Sequence, residues 1–569
     1  MMWHAFPVAM ATMLGNIFFT TKHLMRLRAS SCHQMQTVAP QVAIRHSRES
    51  GKPRFDSAAS PLATRFRGYD GTAAGTVEQS NRLFSKWNRT HRKHVLIYPF
   101  SLRALRVLRG ELLLLCLLAG CTLGPDYQRP GVLTPDNYRF AGGGPAAESL
   151  ADLPWWELFR DPVLQELIRV GLTNNYDLRT AVARVEEARA QIGVARSFLY
   201  PQINFNSGGT AEQVSTATDP SQSLTSSRSF QNWILGFGVT WEFDVFGRIR
   251  RQSEAATAVW VATEMDRRAV YISLISDIAQ DYFTLRELDL ELEISRRTVG
   301  INDETIQFYR NRLGGGVSNR LELNQAIANR SRTAQVIPDL ERRIAIQENL
   351  INYLIGRNPA PIPRGVVLTE QYQPPAVPAG LPATLLERRP DVQSAEQLLV
   401  AANANIGAAK ALFFPTFSLN SVLGSQAHDL SNIADKRAAI WSVSGGLVQP
   451  LFQGWRILSN YEATKARFDQ ALAQYDKAAQ NGFREVADAL IAIQKFEEAR
   501  VVQEQGVAAL QEAATLARQR YDAGLANYLE VLIADQDLYD QELLLARTRG
   551  EQVNSVVQLY RALGGGWSP

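Results

Sequence analysis

Residues Trp233 to Val245 read WILGFGVTWEFDV, and their alternation is strict. Trp233, Leu235, Phe237, Val239, Trp241, Phe243 and Val245 fall on one face of an extended chain, and Ile234, Gly236, Gly238, Thr240, Glu242 and Asp244 on the other. The partner strand is PQINFNSGG from Pro201, and TFSLNSVLG from Thr416 and WSVSGGLVQ from Trp441 supply two more of the same kind. Stretches of about ten residues match the length of a tilted strand crossing a bilayer. Between them run polar loops, EQVSTATDPSQSLTSSRS from Glu212 in the first pair, which cannot lie in lipid and so mark a solvent side.

The strand pairs belong to an internal duplication. DLRTAVARVEEARAQIGVARSFLYPQINF from Asp177 aligns with DVQSAEQLLVAANANIGAAKALFFPTFSL from Asp391 at an offset of 214. Ile192-Gly193 falls on Ile406-Gly407, and Tyr200-Pro201 on Phe414-Pro415. After the loop the offset becomes 208 and holds, carrying Trp233 to Trp441, Glu254-Ala255 to Glu462-Ala463, Gly316 to Gly524, Leu321-Glu322 to Leu529-Glu530 and Gly356 to Gly564. Each copy reads as helix, strand, loop, strand, very long helix, tight turn, helix. The long helix runs from about Arg251 to Arg312 without a proline, with Ile278, Leu285, Leu292, Val299 and Ile306 recurring every seven residues. At 1.5 Å per residue it is a rod of roughly 90 Å, for which a soluble globular domain has no use. The second copy, about Ser459 to Arg520, keeps Val486, Ile493 and Val507 in phase but places Arg500 in the seam, so looser packing is expected.

Four amphipathic strands in lipid leave two sheet edges whose N–H and C=O groups lack partners, at several kcal/mol each, so the sheet must close. One chain cannot close it. Two chains supply eight strands, a barrel filled by its own side chains, whereas three supply twelve and begin to leave a lumen.

Charge and minor residues divide the chain at Cys121. Residues 1–120 hold 17 Lys and Arg against 5 Asp and Glu, whereas the remainder holds 43 against 51. Nothing in that acidic remainder forms the dense basic cluster that nucleic acid requires. Six of the seven histidines and six of the seven methionines precede residue 95. Arg103, Arg106 and Arg109 form a positive region before the apolar run Leu112–Ala119, and Leu118-Ala119-Gly120-Cys121 has the small-residue pattern of a cleavage site. The run is too short to span a bilayer as a helix. It resembles a bacterial lipobox signal, in which Cys121 is acylated and becomes the first residue; Thr122 after it, rather than Asp, resembles those sent to the outer membrane. The expected organisation is an atypical N-terminal extension or misplaced start at 1–95, a lipoprotein signal at 96–120, a first repeat at 121–356, a linker at 357–382 and a second repeat at 383–569.

Taken together, CTLGPDYQRP, WWELFRDPVLQELI, WEFDVFGRIR, PAGLPATLLERRPDV, ANIGAAKALFFPTFSL and YRALGGGW resemble the TolC-like outer-membrane efflux family. The likeness is strongest to its lipid-anchored OprM-type members that serve resistance-nodulation-division pumps. It covers nearly all of 121–569 and none of 1–95. It implies an α+β membrane protein, a homotrimer whose twelve-stranded β-barrel, four strands per chain, continues into a long α-helical periplasmic tunnel. The implied partners are a periplasmic adaptor, an inner-membrane pump and outer-membrane lipid.

No catalytic or metal-binding constellation is expected: the acidic segment has one histidine, His428, in a polar loop, and neither G-x-x-x-x-G-K-[ST] nor G-x-S-x-G occurs. No cofactor beyond a covalent lipid on Cys121 is expected. The turns RLGGGVSNRLEL and RYDAGLANYLEV carry the functional candidates, since Gly316 and Gly524 can end a helix in the left-handed conformation. In the family these turns form the periplasmic tip, so the resemblance makes Gly316, Val317, Ser318, Gly524, Leu525 and Ala526 adaptor contacts. Glu530 falls where the family places an aperture carboxylate, and Glu322 is its counterpart in the first repeat. The neighbouring acidic position is Ile533 here, which leaves a partly apolar gate or a role for Asp535. The expected function is a passive outer-membrane exit duct for small toxic compounds. Export of polypeptides or metal ions by the same fold is the alternative, as is a lipid-anchored coiled-coil scaffold without membrane strands.

Overall fold

The computed structural model describes residues 122–141, 149–213, 229–317, 319–371, 380 and 382–565. The expectations placed on 1–121, Cys121 among them, and on Ser318 lie outside these residues. The two copies repeat one another element by element. Helix α1 (Pro162–Asn174) leads into α2 (Tyr176–Ser197), strands β1 (Gln202–Gln213) and β2 (Ser229–Phe243), the long α3 (Arg248–Gly314), then α4 (Arg320–Ala334) and α5 (Val336–Leu354). The second copy has α6 (Pro382–Arg388), α7 (Pro390–Ala411), β3 (Thr416–Ala427), β4 (Ala439–Val448), α8 (Arg456–Asp522) and α9 (Tyr528–Ala562). Helices α3 and α8 are both 67 residues long, about 100 Å each.

The strands form one antiparallel sheet in the order β1-β2-β3-β4. Its register carries the alternation of each strand across the whole sheet. Phe205 faces Phe237, Phe237 faces Leu423 and Leu423 faces Trp441, an apolar ladder whose members are 53–77% exposed. One residue along, on the opposite face, Asn204, Gly238, Val422 and Ser442 line up, then Gln202, Thr240, Asn420 and Ser444. A bare apolar belt backed by an amide- and hydroxyl-rich face fits a wall between lipid and a wet interior. The outer edges of β1 and β4 have no partner strand among the described residues.

The helices continue the four strips. Helix α3 packs against α2, α4 and α5 on one side and against α7 and α9 on the other, and α8 packs against α7 and α9. The rows therefore follow the strand order. Within a row, short helices stack end to end: Asn175 at the start of α2 donates to the Leu354 carbonyl at the end of α5 (2.8 Å), and Arg389 at the start of α7 donates to the Ala562 carbonyl at the end of α9 (2.9 Å). These pairs are equivalent positions in the two copies, so one joint is made with an amide in one repeat and a guanidinium in the other. Arg389 is 7% exposed and also bonds Asp391 and Glu485, which gives the RRPDV stretch a helix-joining role.

The copies differ most in the return helix. The single return helix expected in each is continuous as α9 but interrupted at Gln335 between α4 and α5. Pro338 lies just beyond the interruption, and its ring removes a donor and crowds the preceding turn; the equivalent position in α9 is Ala546.

The core is densest where α1 meets α3 and the segment after α5. Asp161, 2% exposed, caps α1 by accepting from the Val163 and Leu164 amides, and also accepts from the Tyr282 hydroxyl (2.9 Å), the Val366 amide (2.9 Å) and the Gln371 amide (3.1 Å). A Cβ at Gly365 would lie 2.1 Å from that carboxylate, so only glycine fits there. Asp161→Ala strands several buried donors and should destabilise the protein by about 3–5 kcal/mol, with Asp161→Asn recovering part of the loss. Thermal unfolding of the solubilised protein, followed by circular dichroism, measures both.

Candidate functional site

The two ends of the long helices are built alike. Helix α3 closes with Val317 N–H bonded to the Arg312 carbonyl (2.9 Å) and Gly316 N–H to that of Leu313 (3.1 Å); α8 closes with Leu525 to Arg520 (2.8 Å) and Gly524 to Tyr521 (2.9 Å). This pattern needs a left-handed residue, and Gly316 (φ 76°) and Gly524 (φ 72°) supply it. The next helix then starts on an asparagine cap, Asn319 accepting from Glu322 N–H (3.0 Å) and Asn527 from Glu530 N–H (3.2 Å). Val317 and Leu525 are 68% and 72% exposed, as are the equivalent pair Leu321 and Leu529 at 64% and 51%. Each tip thus presents two bare apolar side chains. Ala526 lies in the same turn, half-buried.

The three candidate gate acids occupy different environments. Glu322 and Glu530 sit in the first turns of α4 and α9, where a carboxylate suits the helix end. Glu530 is half exposed, 3.8 Å from the Arg520 guanidinium. Asp535, one turn beyond Glu530, is mostly buried, and both its oxygens accept from Arg518 of α8 at 2.9 and 3.0 Å. Burial pushes its carboxyl above the ordinary range and Arg518 works against that shift. It therefore ties α8 to α9 within one hairpin.

A tyrosine cluster, not singled out in the sequence, joins the two hairpins behind the tips. Tyr309 of α3 lies 4.4 Å, centroid to centroid, from Tyr528 of α9 and 5.9 Å from Tyr521 of α8. Arg312 stacks over Tyr521 at 5.5 Å. Burial, then the hydrogen bond with Tyr521, holds the Tyr309 hydroxyl far above its usual pKa, so it remains a neutral donor. The cluster left no repeat signal, because the positions equivalent to Tyr309, Tyr521 and Tyr528 are Ala517, Leu313 and Arg320.

At the opposite end of the rods the chain enters at the sheet–helix junction. Thr122 lies against Gly247, Leu123 N–H bonds the Phe246 carbonyl (3.2 Å), and Gly124 (φ 109°) packs onto Gly407. Buried Arg251 clamps this strap through the Leu123 carbonyl (3.1 Å) and Asp126 (2.8 Å), and Asn403 donates to the Pro125 carbonyl (3.0 Å). Among the described residues no group of three or more His, Cys, Asp or Glu could hold a metal, and no helix is long and apolar enough to cross a membrane.

The family profile described as outer membrane efflux protein matches residues 167–357 and 381–565. The chain is 36% identical over 462 residues to the solvent efflux pump outer membrane protein SrpC of Pseudomonas putida, covering 80% of this chain and 97% of that one. It is 35% identical over 453 residues to the cation efflux system protein CusC of Escherichia coli O6:H1, with 79% and 96% covered. Among solved structures, the outer-membrane channel OprN superposes with a TM-score of 0.73 at 31% identity, over 79% of this chain and all of that one.

An added Cβ at Gly316 or Gly524 would meet nothing within 4 Å, so the only penalty of substitution is the left-handed backbone. Gly316→Ala and Gly524→Ala should each cost roughly 1–2 kcal/mol, confined to the tip. Hydrogen exchange of the solubilised protein should then speed up at 312–320 or 520–530 and remain unchanged in the sheet.

Proposed function

The chain belongs to the outer membrane efflux protein family, and from that premise we propose that three copies close into one duct, fed by an inner-membrane pump of the resistance-nodulation-division type through a periplasmic adaptor. The observation that carries this reading is the open sheet with two free edges, continued row for row by helices. In the assembly β1 of one copy pairs with β4 of the next, and the first helical row packs against the neighbour's α8. Apolar side chains already bare on both outer rows, Tyr353, Ile346 and Val182 on one and Val502 and Leu516 on the other, would be covered there. The four membrane-length strands favour a duct over the pore-free scaffold, for which they would have no purpose.

The chain acts as a passive conduit with no chemistry of its own. Val317, Leu321, Leu525 and Leu529 form the apolar surface for the adaptor, with Gly316, Gly524 and Ala526 in the turns around them; Ser318 joins the adaptor contacts by its position in the sequence alone. Glu530, with Glu322 beside it, forms the periplasmic constriction: like charges crowded round a threefold axis repel until the tips part, protons bind or cations bridge them. Asp535 holds the hairpin that carries Glu530. Small toxic compounds are the cargo on this reading, in keeping with the solvent efflux named for SrpC. Cation export is the second reading, which the likeness to CusC favours.

The strap gives lipid attachment a geometric rationale. Thr122 lies beside Gly247, four residues past the last strand residue Phe243, so acyl chains on Cys121 would start at the level where the apolar belt ends. At about 0.8 kcal/mol per buried methylene, three such chains anchor firmly.

Two measurements test these assignments. Cys121→Ser should abolish incorporation of radiolabelled palmitate while the barrel still forms; persistent labelling refutes the site. Glu530→Ala should raise unitary conductance in planar bilayers several-fold, and an unchanged trace removes Glu530 from the gate.

A further inference from the structure

At the level where sheet gives way to helices, the wall carries a groove of about 390 Å³ between the starts of α3 and α8 and the length of α7. Its floor is apolar, formed by Leu398, Ala402, Ala409 and Leu412 of α7, and Leu398 is 41% exposed. Its rim is polar and one-sided in charge: Arg248 and Arg467 line it, and no carboxylate does. Arg248 is matched, its guanidinium bonding both oxygens of Glu242 at 3.1 and 2.7 Å. No carboxylate lies within ion-pairing distance of Arg467 among the described residues, so the uncompensated charge of the groove is Arg467's.

The sheet register places this groove on the amide-rich, inner side of the wall, and the entering strap lies on the opposite face of α7. Glu242, which reaches Arg248, belongs to the amide-rich face of the sheet, in register with Ser418, whereas its neighbour Trp241 belongs to the apolar belt. On α7, the groove residues Leu398, Ala402, Asn405 and Ala409 lie roughly half a turn, at 100° per residue, from Glu396, Asn403 and Gly407, which carry the strap on the other side.

We propose that this groove is a binding site for amphiphilic anions in transit, the acid group paired with Arg467 and the apolar body laid along Leu398, Ala402, Ala409 and Leu412. The inference rests on the duct reading above and deepens it by naming a cargo class. The chemistry is complementary on both counts: an apolar floor gains from covering a hydrocarbon body, and the exposed, unmatched guanidinium of Arg467 at the rim favours a carboxylate or sulfonate over a neutral or cationic head. Above it the polar face of the sheet is nearly uncharged, so an anion leaving the groove meets few fixed charges on the way out.

The test uses the full chain in planar bilayers, with sodium cholate below its micelle concentration as the probe. Cholate should interrupt the unitary current in a concentration-dependent way. Arg467→Glu should weaken that block at least ten-fold and Arg467→Lys by no more than about three-fold. Block by neutral dodecyl maltoside should be the same in all three proteins. Equal cholate block in Arg467→Glu and wild type overturns the proposal, as does stronger block by dodecyltrimethylammonium than by cholate in the wild type. Unitary current that cholate leaves untouched overturns this inference alone, whereas absence of any unitary current overturns the duct reading and this inference with it.

Discussion

Peptide groups along the free edges of β1 and β4 hold the rest of the architecture to account. In water such edges are tolerable, but in hydrocarbon each unpaired N–H or C=O costs several kcal/mol, and the apolar ladder through Phe205, Phe237, Leu423 and Trp441 shows that this sheet is made for hydrocarbon. Closure by identical neighbours removes the penalty without adding a residue to the chain. Once the strands are committed to a ring, the helical rows beneath them, tied strand to row, are committed to the same ring.

Duplication is the economical way to make such a wall, because one repeat supplies two strips and its copy supplies the next two. The joints show how far the copies have diverged while keeping the geometry. Asn175 and Arg389 make the same end-to-end bond by different chemistry, and the left-handed residue entering α3 is Gly247 whereas the one entering α8 is Trp455 (φ 66°). A non-glycine residue there is held against a backbone preference of about 1 kcal/mol, so the surrounding joint over-determines the turn.

The faces of the strands, the two offsets and the positions of the tip glycines were legible because each follows from a period or a repeat. Strict alternation between Trp233 and Phe243 fixes which face each side chain takes, since a one-residue slip would exchange the two faces, and the matched lengths of α3 and α8 follow from the offset of 208 that holds along both. What was not legible depends on which helix lies next to which. Asp535 and Glu530 look alike on the helix that bears them, and only Arg518 of α8 draws one inward. Tyr309, Tyr521 and Tyr528 come from three helices and have no counterparts in repeat register, so nothing local marked them as a cluster. Pro338 was visible, but repeat register with an unbroken copy carries no information about continuity, and the break appears only when the backbone is traced through Gln335.

That break has a mechanical consequence. A continuous helix such as α9 bends as a beam, spreading any displacement of its tip along its whole length and passing it to the joint at Arg389. The α4–α5 row has a knuckle at Gln335, so its lower segment can swing while the upper one stays seated. In the ring proposed above the two kinds of return stave would alternate, and any widening of the mouth would bend the jointed ones at Gln335 and the continuous ones along their length.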